Sequence, residues 1–400
     1  MTQAGKTSRR TFLGSATRSA VVAGMLRSGW ALAVEEADPR VAAMVAGTAG
    51  IDTHNHIDVP MTAAEQPGPD LDLSGEIKRS GLSVICAVFA TDYQPGDPYE
   101  RFHQAMAAMD RQLERNGVRR SLTVGDVNAA HLQHRPTVIQ AVEGAHFLEG
   151  HLERVEEAHL RGLRHFGLLH DSDASTPLGD VYTNPPRLGG LSVFGAAVIK
   201  ECNRLGMLVD LAHASMQTTQ AALKVSSQPV IISHTGLDTQ LGNDPRMAQM
   251  MRPRLISKEQ AKLVADAGGV VGVWTHLADT PLAYAQNIRA LVDVIGVDHV
   301  CIGTDTKLTQ PTPRNFGPPA SGGPAGPASP EGQGGPPPGI RAGQKHAQAG
   351  ERSNMAWDGE TAGFYYVVVD ALLKVGFSKE EIGKIGGGNY LRIFGKATRS

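Results

Sequence analysis

His54 and His56 stand two residues apart in the run GIDTHNHI. On an extended chain that spacing puts both imidazoles on one face, where they can grip one cation. His213, in LVDLAHAS, and His234, in PVIISHT, close two other apolar runs and can grip a second cation. Carboxylates follow the same rule, Glu143 ending PTVIQAVEG and Asp305 lying in HVCIGTDT. Glu143 could bridge two divalent ions, and Asp305 could bind a metal and also receive a proton from activated water. Four imidazoles with two carboxylates favour zinc on ligand softness, while manganese, cobalt and iron also suit the donors. With no cysteine in the group, an open catalytic site fits better than a closed structural one, and the implied chemistry is hydrolysis without a side-chain nucleophile. Ser215 and Ser233 lie close to His213 and His234, but neither sits in a GxSxG elbow. His170 and His276 end two further apolar runs, and His276 has no assigned role beyond packing near Trp274.

Eight short β-branched runs must place these groups: residues 50–57, 82–90, 136–144, 163–170, 206–215, 229–235, 269–277 and 299–306. Between them lie segments with apolar residues spaced by three and four, at 98–117, 193–206, 257–268 and 282–296, several ending in glycine. Alternation of this kind predicts repeated βα units and a single α/β domain of the (β/α)8 TIM-barrel class. An open doubly wound sheet is the alternative, without a GxGxxG turn to support it. In a (β/α)8 barrel the active site is built at the C-terminal ends of the strands, which is where the ionisable residues fall.

The 38 basic and 40 acidic side chains leave a net charge of −2, which argues against a general nucleic-acid partner. Three cysteines cannot form a disulfide framework, and Cys86 and Cys301 sit in apolar runs as small core residues. Ser8-Arg9-Arg10-Thr11-Phe12-Leu13-Gly14, with Ala31-Leu32-Ala33 after a weakly apolar stretch, resembles a twin-arginine export signal. Residues 1–33 are therefore expected to be a leader and 34–398 the folded domain, periplasmic or in the cell envelope, without a membrane span.

The segments AVEGAH, NRLGMLVDLAHAS, PVIISHTG, DHVCIGTD and GGGNYLRIFG, in this order, resemble the motifs of the membrane (renal) dipeptidases, zinc peptidases of the amidohydrolase superfamily, and the resemblance spans about residues 50 to 395. The resemblance implies a binuclear zinc (β/α)8 hydrolase that cleaves dipeptides, often tolerating a D-residue at the C-terminal position, and a homodimer. By position it makes His54 a ligand of the first zinc, Glu143 the bridge, His213 and His234 the ligands of the second, and Asp305 the proton-transferring aspartate. It also gives His170 the contact to substrate and tetrahedral intermediate, and Arg254, in RPRLISKEQ, the substrate's free carboxylate.

Three departures bear on the substrate. His56 stands where the family has an aspartate, removing a negative charge that Asp58 could restore. Thr306-Lys307-Leu308 replaces an aromatic and acidic loop, leaving Lys307 as a solvated residue or a partner for a substrate carboxylate. A Pro/Gly-rich insert at 309–356 follows, with sixteen glycines or prolines among the 23 residues from Gly317 to Gly339, and is expected to be flexible. The reaction class is accordingly firmer than the substrate. Another small amide or a lactone is the nearest alternative, and a non-catalytic metal- or peptide-binding envelope protein the more distant one. His103, His131 and His134 are expected to be solvated.

Overall fold

The computed structural model describes residues 38–92, 96–310 and 352–399. The expected leader and most of the Pro/Gly-rich insert lie outside the described residues. Eight parallel strands form in chain order: β1 (Ile51–His56), β2 (Val84–Val88), β3 (Thr137–Val142), β4 (Leu163–Gly167), β5 (Leu208–Asp210), β6 (Ile231–Thr235), β7 (Val270–Val273) and β8 (Val300–Ile302). Each pairs with the next, and Thr306–Lys307, continuing from β8, pairs with Asn55 and His56 of β1, which closes the ring. The expected (β/α)8 architecture is the one observed. Arg119–Arg120 adds a short strand beside β3.

The strands read as nearly unbroken apolar runs because both of their faces are covered. Outside, helices such as Pro98–Asn116, Val193–Leu205, Lys258–Asp266 and Pro281–Ile295 pack on them. Inside, Ile51, Val84, Cys86, Leu208, Ile231, Val270 and Cys301 fill the lower barrel, plugged by Tyr390, Ile393 and Phe394 of the C-terminal helix Asn389–Thr398. Cys86, Cys202 and Cys301 are all buried and free. Burial pushes the Cys301 thiol up to about 12.

Several strands are shorter than their apolar runs. β5 stops at Asp210, and the chain then leaves extended geometry so that His213 sits at φ 66°. Ser215 is the N-cap of helix Met216–Val225, its hydroxyl accepting from the Thr218 amide, which accounts for it without catalysis. Residues 309–310 and 352–356, at the two ends of the expected insert, are among the described residues. Thr309 is buried, and Ser353–Met355 forms a 3-10 turn in which the buried Ser353 hydroxyl lies 2.7 Å from both Asn55 Nδ2 and Thr306 Oγ1. Those hydrogen bonds tie 352–356 to the rim, so these residues, expected within the flexible 309–356 insert, are held in place. His103 and His131 are not simply solvated either. His103 Nε2 lies 3.0 Å from Glu157 Oε1, and His131 Nδ1 lies 2.8 Å from Ser83 Oγ.

Gly272 and Gly303 make room for the Ser233 carbonyl, which accepts from Thr53 Oγ1 at 2.8 Å. A Cβ at Gly303 would stand 1.8 Å from that oxygen. Gly303→Ala is expected to destabilise the fold by about 3 kcal/mol or more, read as a lowered urea midpoint, because backbone rather than a flexible side chain must give way. The native protein at pH 8 should show no thiol reactive toward a disulfide reagent and three after denaturation; rapid native labelling would contradict the burial described here.

Candidate metal centre

The strand ends bring His54, His56, Glu143, His170, His213, His234 and Asp305 into one cluster at the C-terminal mouth of the barrel. Glu143 is its hub. Its Oε1 lies 2.9 Å from His213 Nε2, 3.4 Å from His54 Nε2 and 3.6 Å from His234 Nε2. Its Oε2 lies 3.6 Å from His56 Nε2 and 3.5 Å from His170 Nε2. His54 Nε2 and His56 Nε2 are 3.3 Å apart, and His213 Nε2 and His234 Nε2 are 3.0 Å apart. Asp305 Oδ1 completes the ring, 3.3 Å from His56 Nε2 and 3.8 Å from His54 Nε2.

The residues fit a metal on three counts. Glu143 Oε2 is buried and has no hydrogen-bond partner among the described residues, an uncompensated acceptor that a cation would satisfy. Ligands about 2.1 Å from a tetrahedral ion lie about 3.4 Å from one another, close to the separations found here. His54, His170, His213 and His234 also present Nε2 inward while their Nδ1 atoms are engaged from behind. Ser233 Oγ lies 3.1 Å from His54 Nδ1 and 3.0 Å from His234 Nδ1. Asp171 Oδ1 lies 2.9 Å from His213 Nδ1, and Asp92 carboxylate oxygens lie 2.8 Å from His170 Nδ1. Outer partners of this kind set the tautomer and aim of metal-ligating imidazoles.

Electrostatics agree with that arrangement. Burial raises the cost of ionising Glu143, but the surrounding histidines outweigh it and hold the carboxyl well below its usual range. Burial lowers His54 and His234, keeping them neutral and able to ligate. Burial acts the same way on His213, yet hydrogen bonds to Asp171 and Glu143 prevail and push it up to about 10. A proton held there must leave when a cation binds. Asp305, despite its burial, is held well below its usual value by His234, His276 and His56.

Backbone strain falls on the same residues. His213 and Asp305 occupy left-handed conformations, φ 66° and 56°, rare for residues with a Cβ and concentrated at functional sites. Buried carboxylates beneath hold the backbone there. Asp210 accepts from the amides of Ala212 and Ser233 at 2.9 and 3.0 Å while its other oxygen lies 3.1 Å from His165 Nε2. Asp52 accepts from the Thr304 amide at 2.9 Å and its hydroxyl at 2.7 Å, next to Asp305.

Arg254 lies on the rim, in the turn Arg252–Arg254, with Nε 3.0 Å from Asp171 Oδ2 and Nη2 on the same oxygen. His276 packs edge-on against Trp274, and it also places Nε2 3.1 Å from Asp305 Oδ2, a contact not anticipated from the sequence. Asp58 does not restore the charge lost at His56: its carboxylate pairs with Lys307 Nζ at 2.9 Å. Lys307 is accordingly a half-buried ion-pair partner rather than a solvated loop residue. Asp92, Asp171 and Asp210 carry no signal in the sequence beyond the adjacency of Asp171 to His170, and Ser233, weighed there only as a nucleophile, instead holds two imidazoles from behind.

Residues 40–317 match the membrane dipeptidase family (peptidase family M19). The dipeptidase aclJ of Aspergillus oryzae is 29% identical over 199 residues, covering 46% of this chain and 44% of that protein. The chain spans about half the length of the curated relatives it matches. Among solved structures, an amidohydrolase from Pseudomonas aeruginosa aligns at a TM-score of 0.66 and 20% identity, over 90% of this chain and 99% of that one. A metallopeptidase from Rhodobacter sphaeroides, liganded with a phosphinate mimic of the dipeptide L-Ala-D-Ala, aligns at 0.60 and 15% identity, over 88% and 99%. These two likenesses show the fold. The match to residues 40–317, more than half of the sequence, shows that the chain belongs to the membrane dipeptidase family, whose members use a divalent metal.

Proposed function

We propose that this protein hydrolyses the peptide bond of dipeptides at a centre of two zinc ions and accepts a D-residue at the C-terminal position. The observation that carries the reading is Glu143, a buried carboxylate that has five imidazoles within 3.6 Å of its two oxygens and whose Oε2 lacks a hydrogen-bond partner among the described residues. One carboxylate so enclosed suits a pair of cations better than a single one. His54 and His56 would hold one ion, His213 and His234 the other, Glu143 both, with an oxygen from Asp305. Imidazole and carboxylate donors without thiolate favour zinc. Bound there, such ions activate water and polarise the scissile carbonyl.

The remaining steps belong to the chain's own groups. His170 turns Nε2 into the centre with Asp92 accepting from its Nδ1–H, so that only the doubly protonated ring carries a second N–H, which donates to the oxygen that gains charge in the tetrahedral intermediate. Ionised Asp305 receives a proton at a carboxylate oxygen and returns it to the leaving amine, with His276 steadying the other oxygen. Arg254 receives the substrate's free carboxylate on the rim. The L-Ala-D-Ala mimic bound by the Rhodobacter relative supports the acceptance of a D-residue at that position. We also propose export by the twin-arginine route, on the pattern from Ser8 to Gly14.

Elemental analysis is expected to find about two zinc ions per chain, and a chelator to abolish hydrolysis of L,L and L,D dipeptides with recovery on adding zinc; full turnover by metal-stripped protein would sink the reading. Asp305→Asn should lower kcat roughly 10²-fold with metal content largely kept. Near wild-type kcat in that variant would remove Asp305 from the proton path.

A further inference from the structure

Three consecutive residues after β4 feed the centre in three directions. His170 points Nε2 at Glu143, Ser172 donates its hydroxyl to Asp92 at 2.6 Å, and Asp171 turns the other way. Asp171 Oδ1 lies 2.9 Å from His213 Nδ1, and Asp171 Oδ2 accepts from Arg254 Nε at 3.0 Å and from Nη2. Its side chain is about one quarter exposed and that of Arg254 about one third, so the bridge lies at the lip of the mouth where substrate enters. Resting on the dipeptidase reading above, we propose that Asp171 is a positioning and specificity-determining residue, one oxygen fixing Arg254 to capture a substrate's free carboxylate and the other fixing His213 in the metal centre.

Each half follows from bonding geometry. A guanidinium is a planar fork, and a carboxylate that meets both Nε and Nη2 sets the fork's plane and its rotation about the side-chain stem. Arg254 Nη1 donates to the Met250 carbonyl at 3.2 Å, a second point that fixes the same plane. At the other end, an acceptor at His213 Nδ1 places that ring's proton outside the cluster and leaves the Nε2 lone pair for a cation. Tyr182 Oη, 3.1 Å from the same Nδ1, steadies the ring further. Because one carboxylate serves both residues, displacement of Arg254 is felt at His213. The anchor for the substrate's end and a ligand beside the scissile bond are thus held at a fixed separation, which sets how long a substrate can be. A dipeptide satisfies that constraint, and a substrate without a free carboxylate loses the anchor.

Asp171 has an opposite reading, as an anion that competes with the substrate for Arg254, and the two predict opposite signs. The test uses Asp171→Asn, which keeps the shape and removes the charge, with Asp171→Ser as a second variant should the first be poorly folded by thermal melting. Zinc affinity of the metal-stripped protein is measured by competition with a chromophoric chelator, and kcat and KM are measured for a dipeptide and for the same dipeptide carrying a C-terminal amide. The expected result is about 10- to 100-fold weaker zinc binding. KM for the free acid should rise about tenfold while the amide changes little, so that the preference for acid over amide shrinks. A fall in KM for the acid would show competition and overturn the proposal, as would unchanged preference together with unchanged zinc affinity. Should the wild type cleave neither compound, the dipeptidase reading fails by itself. The zinc titration then still decides the link to His213, and an unaltered affinity in the variants rejects it.

Discussion

The burial of Glu143 is the constraint on which the rest of the mouth depends. A carboxylate taken out of water costs several kcal/mol unless positive charge or donors replace its hydration. Among the described residues only one of its oxygens, Oε1, is hydrogen-bonded within the protein, to His213 at 2.9 Å. Four other imidazoles stand near without closing the second oxygen's valence, and two pairs of Nε2 atoms face one another at 3.0 and 3.3 Å. Facing lone pairs of that kind are tolerable only with a proton or a cation between them. The whole arrangement therefore calls for positive charge at its centre, and the family's divalent metal supplies it.

Holding such a cluster in place requires rigidity just outside it. Ser233 illustrates the economy of the arrangement: its hydroxyl lies against the Nδ1 atoms of both His54 and His234, its carbonyl is gripped by Thr53, and its amide by Asp210. Glycines at 272 and 303 give that carbonyl its space. The left-handed His213 and Asp305 are likewise held by carboxylates buried beneath them, Asp210 and Asp52. Burial raises Asp52 to about 6, with the bonds from Thr304, Asn55 and the His54 amide limiting the rise. Strain at the functional residues is thus maintained by polar groups that never reach the cavity, and the apolar lower barrel closed by Tyr390, Ile393 and Phe394 keeps water from them.

Much of this was legible in the sequence, for a physical reason. A strand covered on both faces must be apolar along its length, so an ionisable residue at its end stands out, and eight such runs in order predict both barrel and rim. His54, His56, Glu143, His213, His234 and Asp305 emerge from that contrast. What escaped detection depends on contacts between distant segments. Asp92 and Asp171 sit in loops whose polar composition is ordinary, and their meaning comes from His170, His213 and Arg254, the last of which is 83 residues from Asp171. The pairing of Lys307 with Asp58 and the anchoring of Ser353 beside Asn55 span about 250 and 300 residues and leave no periodic trace. The apolar runs outlast the strands because LAHAS and WTHL remain apolar after the backbone has turned to aim its histidines.

Charge balance links these missed residues to the departure at His56. At the position where the family resemblance implies an aspartate, the imidazole of His56 leaves the centre one negative charge poorer, and Lys307 pairs with the nearest candidate, Asp58. Asp171, in contact with His213, returns an anion on the opposite side of the cluster, beside the second set of ligands. A neutral ligand draws less charge from its cation than an anion does, and a carboxylate behind an imidazole raises that imidazole's basicity. In the proposed two-ion centre this distribution would weaken the hold on an ion near His56 and strengthen it near His213, so the two positions would differ in how tightly they keep a metal. That asymmetry would favour a firmly bound ion next to Asp171 and Arg254, on the side proposed to anchor the substrate's carboxylate.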